Sequence, residues 1–284
     1  ARALLERSGE LDFDVLAFAA LPCLNNNLLQ VLFAHQNSRL GLVSKLEEQG
    51  KIGGEAHDFQ KKLNRFIAEI EDMYRADNSY HNVFHAADCM MTMEWFLQAP
   101  GVAQQVHTID HLMVMIACAI HDVGHDGRSN LFHTKTMSPI AVMYNDKSVL
   151  ENMHVSNSFE AMQKDPHLNW FGMLPKAFTC SEDANAPAVN LQNHMRRGLI
   201  DLVLGTDMAK HADHQRYMNT LAEEAAETDG ATLGGTMHLL ECLVHAADIS
   251  NPCKPRPIML QWTNRVVQEF WAQGDEEMRL GVEV

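Results

Sequence analysis

The segment FQKKLNRFIAEIEDMY, residues 59–74, sets the expected fold, because its apolar residues return at intervals of three and four. That spacing places them on one face of an α-helix and leaves the charged residues on the other. The apolar face consists of Phe59, Leu63, Phe66, Ile67, Ile70 and Met73. Segments 195–211 and 260–274 repeat the pattern, and no alternating run between hairpin turns competes with it. The sequence therefore predicts an all-α fold, a compact bundle of about a dozen helices.

The composition narrows the classes of function. The chain has 284 residues, 46% of them hydrophobic, and a net charge of −15. Such an acidic surface repels nucleic acid, so we expect no nucleic-acid partner. The longest strongly apolar run, residues 112–120, is too short to span a bilayer. We therefore predict no membrane segment in this chain.

The cysteines indicate the compartment. None of the six forms a CxxC pair, and several lie in apolar runs such as IACAI. They are predicted to be reduced, buried thiols in a reducing compartment, so the expected location is the cytoplasm.

The organisation of the chain is predicted to be simple. Residues 172–190 and 222–236 have loop-like compositions, but helical patterns resume after each. Both are therefore interpreted as surface connections within one domain that covers residues 1–284.

The first segment with unusual polar residues is YHNVFHAAD, residues 80–88. Residues four apart share a helical face, so the pattern predicts that His81 and His85 are stacked on one helix. Asp88 is then either a hydrogen-bond partner of a ligating histidine or a local cap. Taken alone, this segment is more typical of an ordinary polar stripe than of a ligand site.

The second segment is CAIHDVGHD, residues 118–126, which follows an apolar run. His121 and Asp122 arrive together at the end of a buried element. Neighbours on a helix point about 100° apart, so both reach one ion only where the helix ends, as Gly124 permits. A buried carboxylate requires a cation or a strong hydrogen-bond network, and here the pattern favours a metal.

The third segment, LVHAADISNP (residues 243–252), adds His245 and Asp248 at the end of another apolar helix. A protein core has little other use for so many ionisable groups. Two imidazoles and two carboxylates suit Zn²⁺, and these ligands are predicted to be His85, His121, Asp122 and Asp248. The second oxygen of Asp122 could bind a second ion, Mg²⁺ or Mn²⁺. Two ions about 3.5–4 Å apart suit an in-line displacement at phosphorus.

Together these motifs carry a family resemblance. YHNVFHAAD, HDVGHDGRSN, MYNDKSVLENMH, IDLVLGTDMAKH and HAADISNPCKP, in this order, resemble the catalytic domain of class I cyclic nucleotide phosphodiesterases. The resemblance implies an all-α HD-domain fold and hydrolysis of 3′,5′-cyclic nucleotides, cAMP or cGMP, to 5′-monophosphates. It also implies a tightly held Zn²⁺, a second Mg²⁺ or Mn²⁺, and attack by a metal-bridging hydroxide.

The resemblance also implies roles for individual residues. The four predicted ligands match the family's metal ligands, with Asp122 bridging both ions. His81 matches the general acid, and Glu269 matches the carboxylate that orients it. Residues matching those around the metal-bound waters are His125, Glu151, His154 and Thr206. Residues matching the nucleotide pocket are Tyr80, Asn251 and Met208. The other histidines His107, His111, His133, His194, His211 and His214 are expected at the surface or at helix caps.

The sequence departs from the family in two places. Asp126 stands at the position of a usual proline, which adds a carboxylate near the expected metals without removing a ligand. The chain also stops at Val284, before the family's purine-binding glutamine and aromatic clamp, so it is expected to lack the C-terminal helices. Regulatory domains are expected outside this chain.

Three other functions compete. These are another HD-type metal phosphohydrolase, a di-iron oxygenase and a binding module that senses a nucleotide without cleaving it. The flanking motifs favour the cyclic diesterase over the first, and the single HD pair speaks against the second. The complete set of ligands and acid disfavours the third for the intact protein, and a truncated chain fits it better.

Overall fold

The computed structural model describes residues 2–178, 188–227 and 235–282. Within these residues the chain forms fifteen α-helices. They are α1 (Arg2–Leu5), α2 (Val15–Ala19), α3 (Leu28–Leu40), α4 (Leu42–Glu48), α5 (Ala56–Met73), α6 (Val83–Leu97), α7 (Pro100–Ala103), α8 (Thr108–Ile120), α9 (Asn130–Lys135), α10 (Pro139–Tyr144), α11 (Val149–Lys164), α12 (Leu191–Leu204), α13 (His211–Glu227), α14 (Thr236–Asp248) and α15 (Arg256–Leu280). The predicted all-α fold is confirmed.

Helix α8 lies at the centre of the bundle. Eleven of its thirteen residues, from Ile109 to Ile120 with the exception of His111, are buried. A helix that is apolar nearly all round must be covered on all sides, and α8 packs against α6, α12, α14 and α4. The centre of the core therefore runs directly into the HDVGHD motif.

The predicted amphipathic helices are present. Helix α5 buries Phe59, Leu63, Phe66 and Ile70, as its spacing predicts. The 195–211 pattern is interrupted, because α12 ends at Leu204 and α13 begins at His211. The pattern at 260–274 lies inside α15.

Only some of the cysteines are buried. Cys89, Cys118 and Cys242 are buried, whereas Cys23 and Cys253 are exposed, so the prediction of buried thiols is wrong for those two. Cys180 lies outside the described residues. Both predicted loops also include residues outside the described part of the chain, at 179–187 and 228–234.

Among the described residues, no helix combines the length and the apolar character that crossing a bilayer requires.

Candidate metal and catalytic site

Two buried helices end at the same point. Helix α8 ends at Ile120 and is followed directly by His121 and Asp122, while Asp248 is the last residue of α14. His85 reaches the same point from the first turns of α6. The potential ligand atoms of these four residues all lie within 4.8 Å of one another. The structure thus brings together the four predicted ligands from three helices.

The turn after α8 depends on a glycine. Gly124 has a φ of +80°, and a Cβ at this position would lie 2.9 Å from Asn157 Nδ2. A side chain would therefore be strained both by the left-handed backbone and by the contact. This turn allows the chain to leave α8 while His121 and Asp122 stay beside each other, as the sequence predicts.

The nitrogen and oxygen atoms of this cluster fit a cation. His121 donates from Nδ1 to the carbonyl of Cys118 at 2.9 Å, so its Nε2 faces the cluster and is the nitrogen that can bind an ion once the ring is neutral. That nitrogen lies 3.3 Å from His85 Nε2 and 3.1 Å from Asp122 Oδ2. Asp122 Oδ2 is buried and makes no hydrogen bond. His85 Nε2 makes a hydrogen bond with Asp248 Oδ1 at 2.8 Å, so Asp122 Oδ2 is the carboxylate oxygen that a positive ion would stabilise.

Electrostatics lead to the same conclusion. Burial alone would lower the pKa of His121, but the carboxylates of Asp122 and Asp248 raise it well above 6.5. Burial likewise opposes ionisation of Asp122 and Asp248, yet the nearby histidines hold both carboxyl pKa values below 3.8. Both helix C-termini add partial negative charge. The cluster therefore favours positive charge at its centre.

His81 lies just outside α6. Asn82 caps the helix, since its side chain accepts a hydrogen bond from Phe84 N at 2.9 Å, and α6 begins at Val83. The prediction that His81 and His85 share one helical face is therefore wrong. Their rings instead lie 5.8 Å apart and nearly perpendicular. The two rings therefore come together although His81 precedes the helix and His85 lies within it.

His81 is held by a carboxylate from α15. Its Nδ1 contacts Glu269 Oε1, and Glu269 Oε2 accepts hydrogen bonds from the backbone N–H groups of Tyr80 and His81, both at 3.0 Å. Burial works against the charged imidazole, but the hydrogen bond to Glu269 and the charge of Asp122 outweigh it and raise the pKa of His81. Glu269 thus fixes both the ring and its backbone.

Two further histidines line the same region as neutral groups. Burial lowers the pKa of His154 to about 4 and that of His125 well below 6.5. His154 donates from Nδ1 to Val123 O at 2.9 Å, and its Nε2 lies 3.7 Å from Asp122 Oδ1. His125 accepts from Gly127 N at Nδ1, and its ring stacks on His81 with centroids 4.0 Å apart.

A cavity of about 530 Å³ opens over these groups, a volume in the range of small-molecule sites, ~300–1,000 Å³. The predicted residues among those that line it are Tyr80, His81, Asp122, His125, Glu151, His154, Thr206, Met208, Asp248 and Glu269. Burial raises the pKa of Glu151 to about 7. Thr206 is buried and donates to Val203 O at 2.8 Å, whereas Met208 is exposed.

The sequence analysis missed other residues on the cavity wall. These are Gly127, Arg128, Ser129, Asn130, Leu131, Leu150, Asp207, Ile249, Val266, Phe270 and Gln273. Asn130 donates to both oxygens of Glu151 at 3.0 Å. Its place in HDGRSN, just after the predicted ligands, was the available signal.

Asn251 lies behind the cavity wall. Its side chain accepts from the hydroxyl of Tyr80 at 2.5 Å and donates to Asp88 at 2.9 Å. Asp88 also pairs with Lys254, whose Nζ is 2.7 Å away. Neither expectation for Asp88 holds, because it contacts no ligating histidine and pairs instead with Lys254, which the sequence analysis missed. This buried chain of contacts positions Tyr80.

Three other expectations need correction. Asp126 does not join the metal cluster, because it accepts from Arg128 N at 3.1 Å and pairs with His133 Nε2 at 3.2 Å. His133 and His214 are buried rather than at the surface. His133 is bonded to Asp126 and Ser138 in the neighbouring turns. His214 instead contacts Gly205 and Cys242 from other segments, which a local pattern does not contain.

Comparison with known proteins adds independent information. Residues 80–284 match the model of the family described as 3′5′-cyclic nucleotide phosphodiesterase. The chain is 36% identical over 227 residues to the 3′,5′-cyclic-AMP phosphodiesterase 4C of Rattus norvegicus, covering 78% of this chain and 40% of that protein. It is 30% identical over 256 residues to the probable 3′,5′-cyclic phosphodiesterase pde-6 of Caenorhabditis elegans, covering 88% of this chain and 31% of that protein. The chain therefore spans less than half the length of these relatives.

Solved structures agree in fold. The phosphodiesterase domain of Salpingoeca rosetta rhodopsin phosphodiesterase has a TM-score of 0.76 at 25% identity, covering 96% of this chain and 74% of that one. LmjPDEB1 in complex with IBMX has a TM-score of 0.78 at 26% identity, covering 100% of this chain and 80% of that one. This chain belongs to the 3′,5′-cyclic nucleotide phosphodiesterase family.

Proposed function

We propose that this chain is a phosphodiesterase that depends on divalent metal ions and hydrolyses 3′,5′-cyclic nucleotides, cAMP among them, to nucleoside 5′-monophosphates. One observation supports it most strongly. Asp122 and Asp248, two of the four clustered ligands, line a cavity together with His81, a histidine that is already held by the carboxylate of Glu269, and Asp122 Oδ2 makes no hydrogen bond. A cation site beside a positioned acid is the combination that hydrolysis of a phosphodiester requires.

The chain's own residues provide the metal site. His85, His121, Asp122 and Asp248 would hold the ions, and the donor set suits Zn²⁺ at the tight position. Asp122 Oδ1 faces His154 and would serve Mg²⁺ or Mn²⁺ at the second position. Bound divalent ions lower the pKa of a coordinated water and neutralise phosphoryl oxygens. His125 and His154, both neutral, are available to orient water beside Asp122.

His81 is proposed as the general acid. Glu269 occupies Nδ1, so Nε2 is the nitrogen that can donate a proton. As water adds to phosphorus and the bond from phosphorus to the 3′ oxygen breaks, the leaving oxygen takes this proton. Glu269 favours the charged ring before transfer and keeps its hydrogen bond to Nδ1 afterwards.

The rest of the cavity is proposed to bind the nucleotide. Tyr80 and Met208 lie on its wall, and Asn251 contributes through its hydrogen bond with the Tyr80 hydroxyl. Glu151 and Thr206 extend the polar side near Asp122. The relatives named above support a cyclic nucleotide as substrate.

The test measures product formation from cAMP and cGMP side by side, with Zn²⁺ and either Mg²⁺ or Mn²⁺ present. A linear phosphate monoester and a nucleoside triphosphate serve as alternative substrates. We expect 5′-monophosphate from at least one cyclic nucleotide and none after chelation. Hydrolysis of the monoester or the triphosphate with no turnover of either cyclic nucleotide would replace this function with that of another metal phosphohydrolase.

Some sequence predictions accompany this proposal without a test from the fold. These are the single catalytic domain, regulatory domains outside the chain, a cytoplasmic location and the absence of nucleic acid among its partners. Localisation of the tagged full-length protein would test the cytoplasmic location.

A further inference from the structure

A second group of ligand-type side chains lies away from the cavity, between α13 and α14. Potential ligand atoms of His214, His238 and Cys242 all lie within 4.8 Å of one another. None of the three lines the cavity described above. We propose that they form a separate Zn²⁺ site that fastens α13 to α14. This inference does not depend on the proposed catalytic function.

The helices supply the three ligands in a suitable register. His238 and Cys242 are four residues apart on α14, so they lie on the same face one turn from each other. His214 comes from the first turn of α13. Ligands from two helices make an ion a crosslink between them, because neither helix completes the site alone.

The tautomer of His214 is set for binding at Nδ1. Its Nε2 donates to the carbonyl oxygen of Gly205 at 2.9 Å, which leaves a lone pair on Nδ1. Nδ1 lies 3.3 Å from Cys242 Sγ. A histidine that binds a metal usually donates its other N–H to a carbonyl or carboxylate. Tetrahedral zinc places nitrogen and sulfur ligands about 3.5 Å apart, close to the separation observed.

His238 is arranged in a similar way. Its Nδ1 lies 3.2 Å from Glu241 Oε2, so Nε2 is left to bind the ion. The ring of Tyr217 packs edge-on against it, with centroids 4.0 Å apart. A carboxylate behind a ligating imidazole fixes its orientation and raises its basicity. Glu241 is therefore assigned as the residue that positions His238.

Two of the three ligands are shielded from solvent, and the third is reachable from it. His214 and Cys242 are buried, whereas the side chain of His238 is 42% exposed. An ion can enter past His238, and water can take a fourth position. Two imidazoles and a thiolate suit Zn²⁺ better than Mg²⁺ or Ca²⁺, which prefer oxygen ligands.

The simpler alternative is a hydrogen bond between the Cys242 thiol and His214. Burial raises the pKa of the thiol to about 11, so the metal-free chain holds a neutral thiol there. Zinc would displace that proton, since the ligand is the thiolate. The two possibilities differ in whether a metal–sulfur bond ever forms, which can be measured directly.

Cobalt titration of the metal-depleted chain distinguishes them. Co²⁺ bound by a thiolate gives a sulfur-to-metal charge-transfer band in the near ultraviolet, and the cavity cluster has no sulfur ligand. We expect the band in the wild-type chain, its loss in Cys242→Ser, and its retention in Cys253→Ser, a matched change at an exposed cysteine. Asp122→Asn should keep the band, and Zn²⁺ should remove it by displacing cobalt.

Milder variants protect the test against misfolding. His238→Gln removes a half-exposed ligand, and Glu241→Gln removes only the residue behind it. We expect both to retain helical circular dichroism and to bind Zn²⁺ about 10–100-fold more weakly. No band in the folded wild-type chain at saturating Co²⁺ would overturn the site. A band that persists unchanged in Cys242→Ser and His238→Gln would do the same, and neither result depends on catalytic turnover.

Discussion

Asp88 and Asp122 are both buried carboxylates, but only Asp88 is paired with a lysine side chain of the protein, whereas Asp122 keeps an oxygen without a hydrogen bond. Asp88 receives Lys254 Nζ at 2.7 Å and Asn251 Nδ2 at 2.9 Å. Asp122 Oδ2 makes no hydrogen bond and faces imidazole nitrogens at 3.1 and 3.4 Å. The Asp88 pair, called the closed region below, is thus completed by the chain's own residues, whereas the Asp122 cluster, called the open region, would be completed by the proposed metal ion.

The two regions are expected to have different roles, since the Asp88 pair stabilises the fold and the Asp122 cluster is available to bind a ligand. Removing one member of a closed buried pair leaves an uncompensated charge, which destabilises the protein. Removing Asp122 from the open cluster takes away a charge that raises the pKa of His121, but this histidine can lose its proton in response, so the larger effect is expected on the bound state. The same substitution type should therefore affect stability in one region and activity in the other.

Asp122→Asn tests the open region and has the largest expected effect. The amide keeps the shape but loses the charge that holds divalent ions, so kcat/KM for a cyclic nucleotide should fall by about 10⁴-fold, or about 5.5 kcal/mol. The unfolding free energy of the metal-free variant, from urea denaturation, should fall far less than that of Lys254→Met, because His121 can become neutral once the charge of Asp122 is gone. A variant with near-normal turnover, or one that is markedly less stable without metal, would remove the distinction between the two regions.

His81→Ala tests the acid beside the open cluster. Loss of a general acid costs about 10²–10⁴-fold, and we expect this loss in kcat while metal content stays at the wild-type level. Steady-state kinetics and elemental analysis of the same preparation give both numbers. His57→Ala, at an exposed histidine of α5, is the matched control and should change neither. Full turnover of the His81 variant would exclude it as the acid.

Lys254→Met tests the closed region. It leaves Asp88 buried without its cation, which should lower the unfolding free energy by about 3–5 kcal/mol. The double change Asp88→Asn with Lys254→Met should recover part of this loss, because no uncompensated charge remains. Urea denaturation measures both, with Lys61→Met on the exposed face of α5 as control. Equal stability of the single variant and the control would show that this pair is not a structural element.

The sequence predicted the elements whose signals are local. The face of α5 followed from the spacing of Phe59, Leu63 and Phe66, and the end of α8 followed from the apolar run before His121 and from Gly124. These predictions succeeded because a periodic face or a glycine turn is encoded within a few residues. Their convergence into one cluster could be inferred only from the sum of three motifs.

Three other features were not predicted from the sequence. His81 was placed on α6 because a spacing of four fits a helix, but Asn82 is the cap and the helix begins at Val83, two residues after His81. Lys254 lies in a segment that has the composition of a loop, and its partner Asp88 is 166 residues away. His214 is buried because α13 packs on α14. Tertiary packing decided the last two cases, whereas the Asn82 cap is a local signal that the four-residue spacing of the histidines concealed.

Glu269→Gln tests how the chain prepares the acid and should have a smaller effect. The amide can still accept the backbone hydrogen bonds of Tyr80 and His81 but no longer favours the charged ring. We expect kcat/KM to fall about 10–100-fold, as for other residues that orient a functional histidine.

The pH profile of this variant gives the sharper readout. Because Glu269 raises the pKa of His81, the protonated acid in the wild type persists to higher pH. Activity is lost as pH rises through that raised pKa, so in Glu269→Gln the loss should begin at lower pH. A basic limb that does not move would show that Glu269 acts on the fold rather than on His81.

Asp126→Asn tests a carboxylate that lies next to the open region in sequence but belongs to neither region in structure. Its partners are His133 and Arg128 N, and its side chain is one-third exposed. We expect kcat/KM to stay within about 3-fold and stability to change by less than about 1 kcal/mol, as for partly solvated ion pairs. Burial would raise the pKa of Asp126, but its pairing with His133 lowers the pKa below its ordinary value. The ionised carboxylate therefore stabilises the fold at pH values above the ordinary pKa of an aspartate. The difference in Tm between variant and wild type should therefore shrink as pH falls through that lowered pKa. A large loss of activity would mean that Asp126 acts on the metal cluster despite contacting none of its ligands, and the boundary of the open region would have to include it.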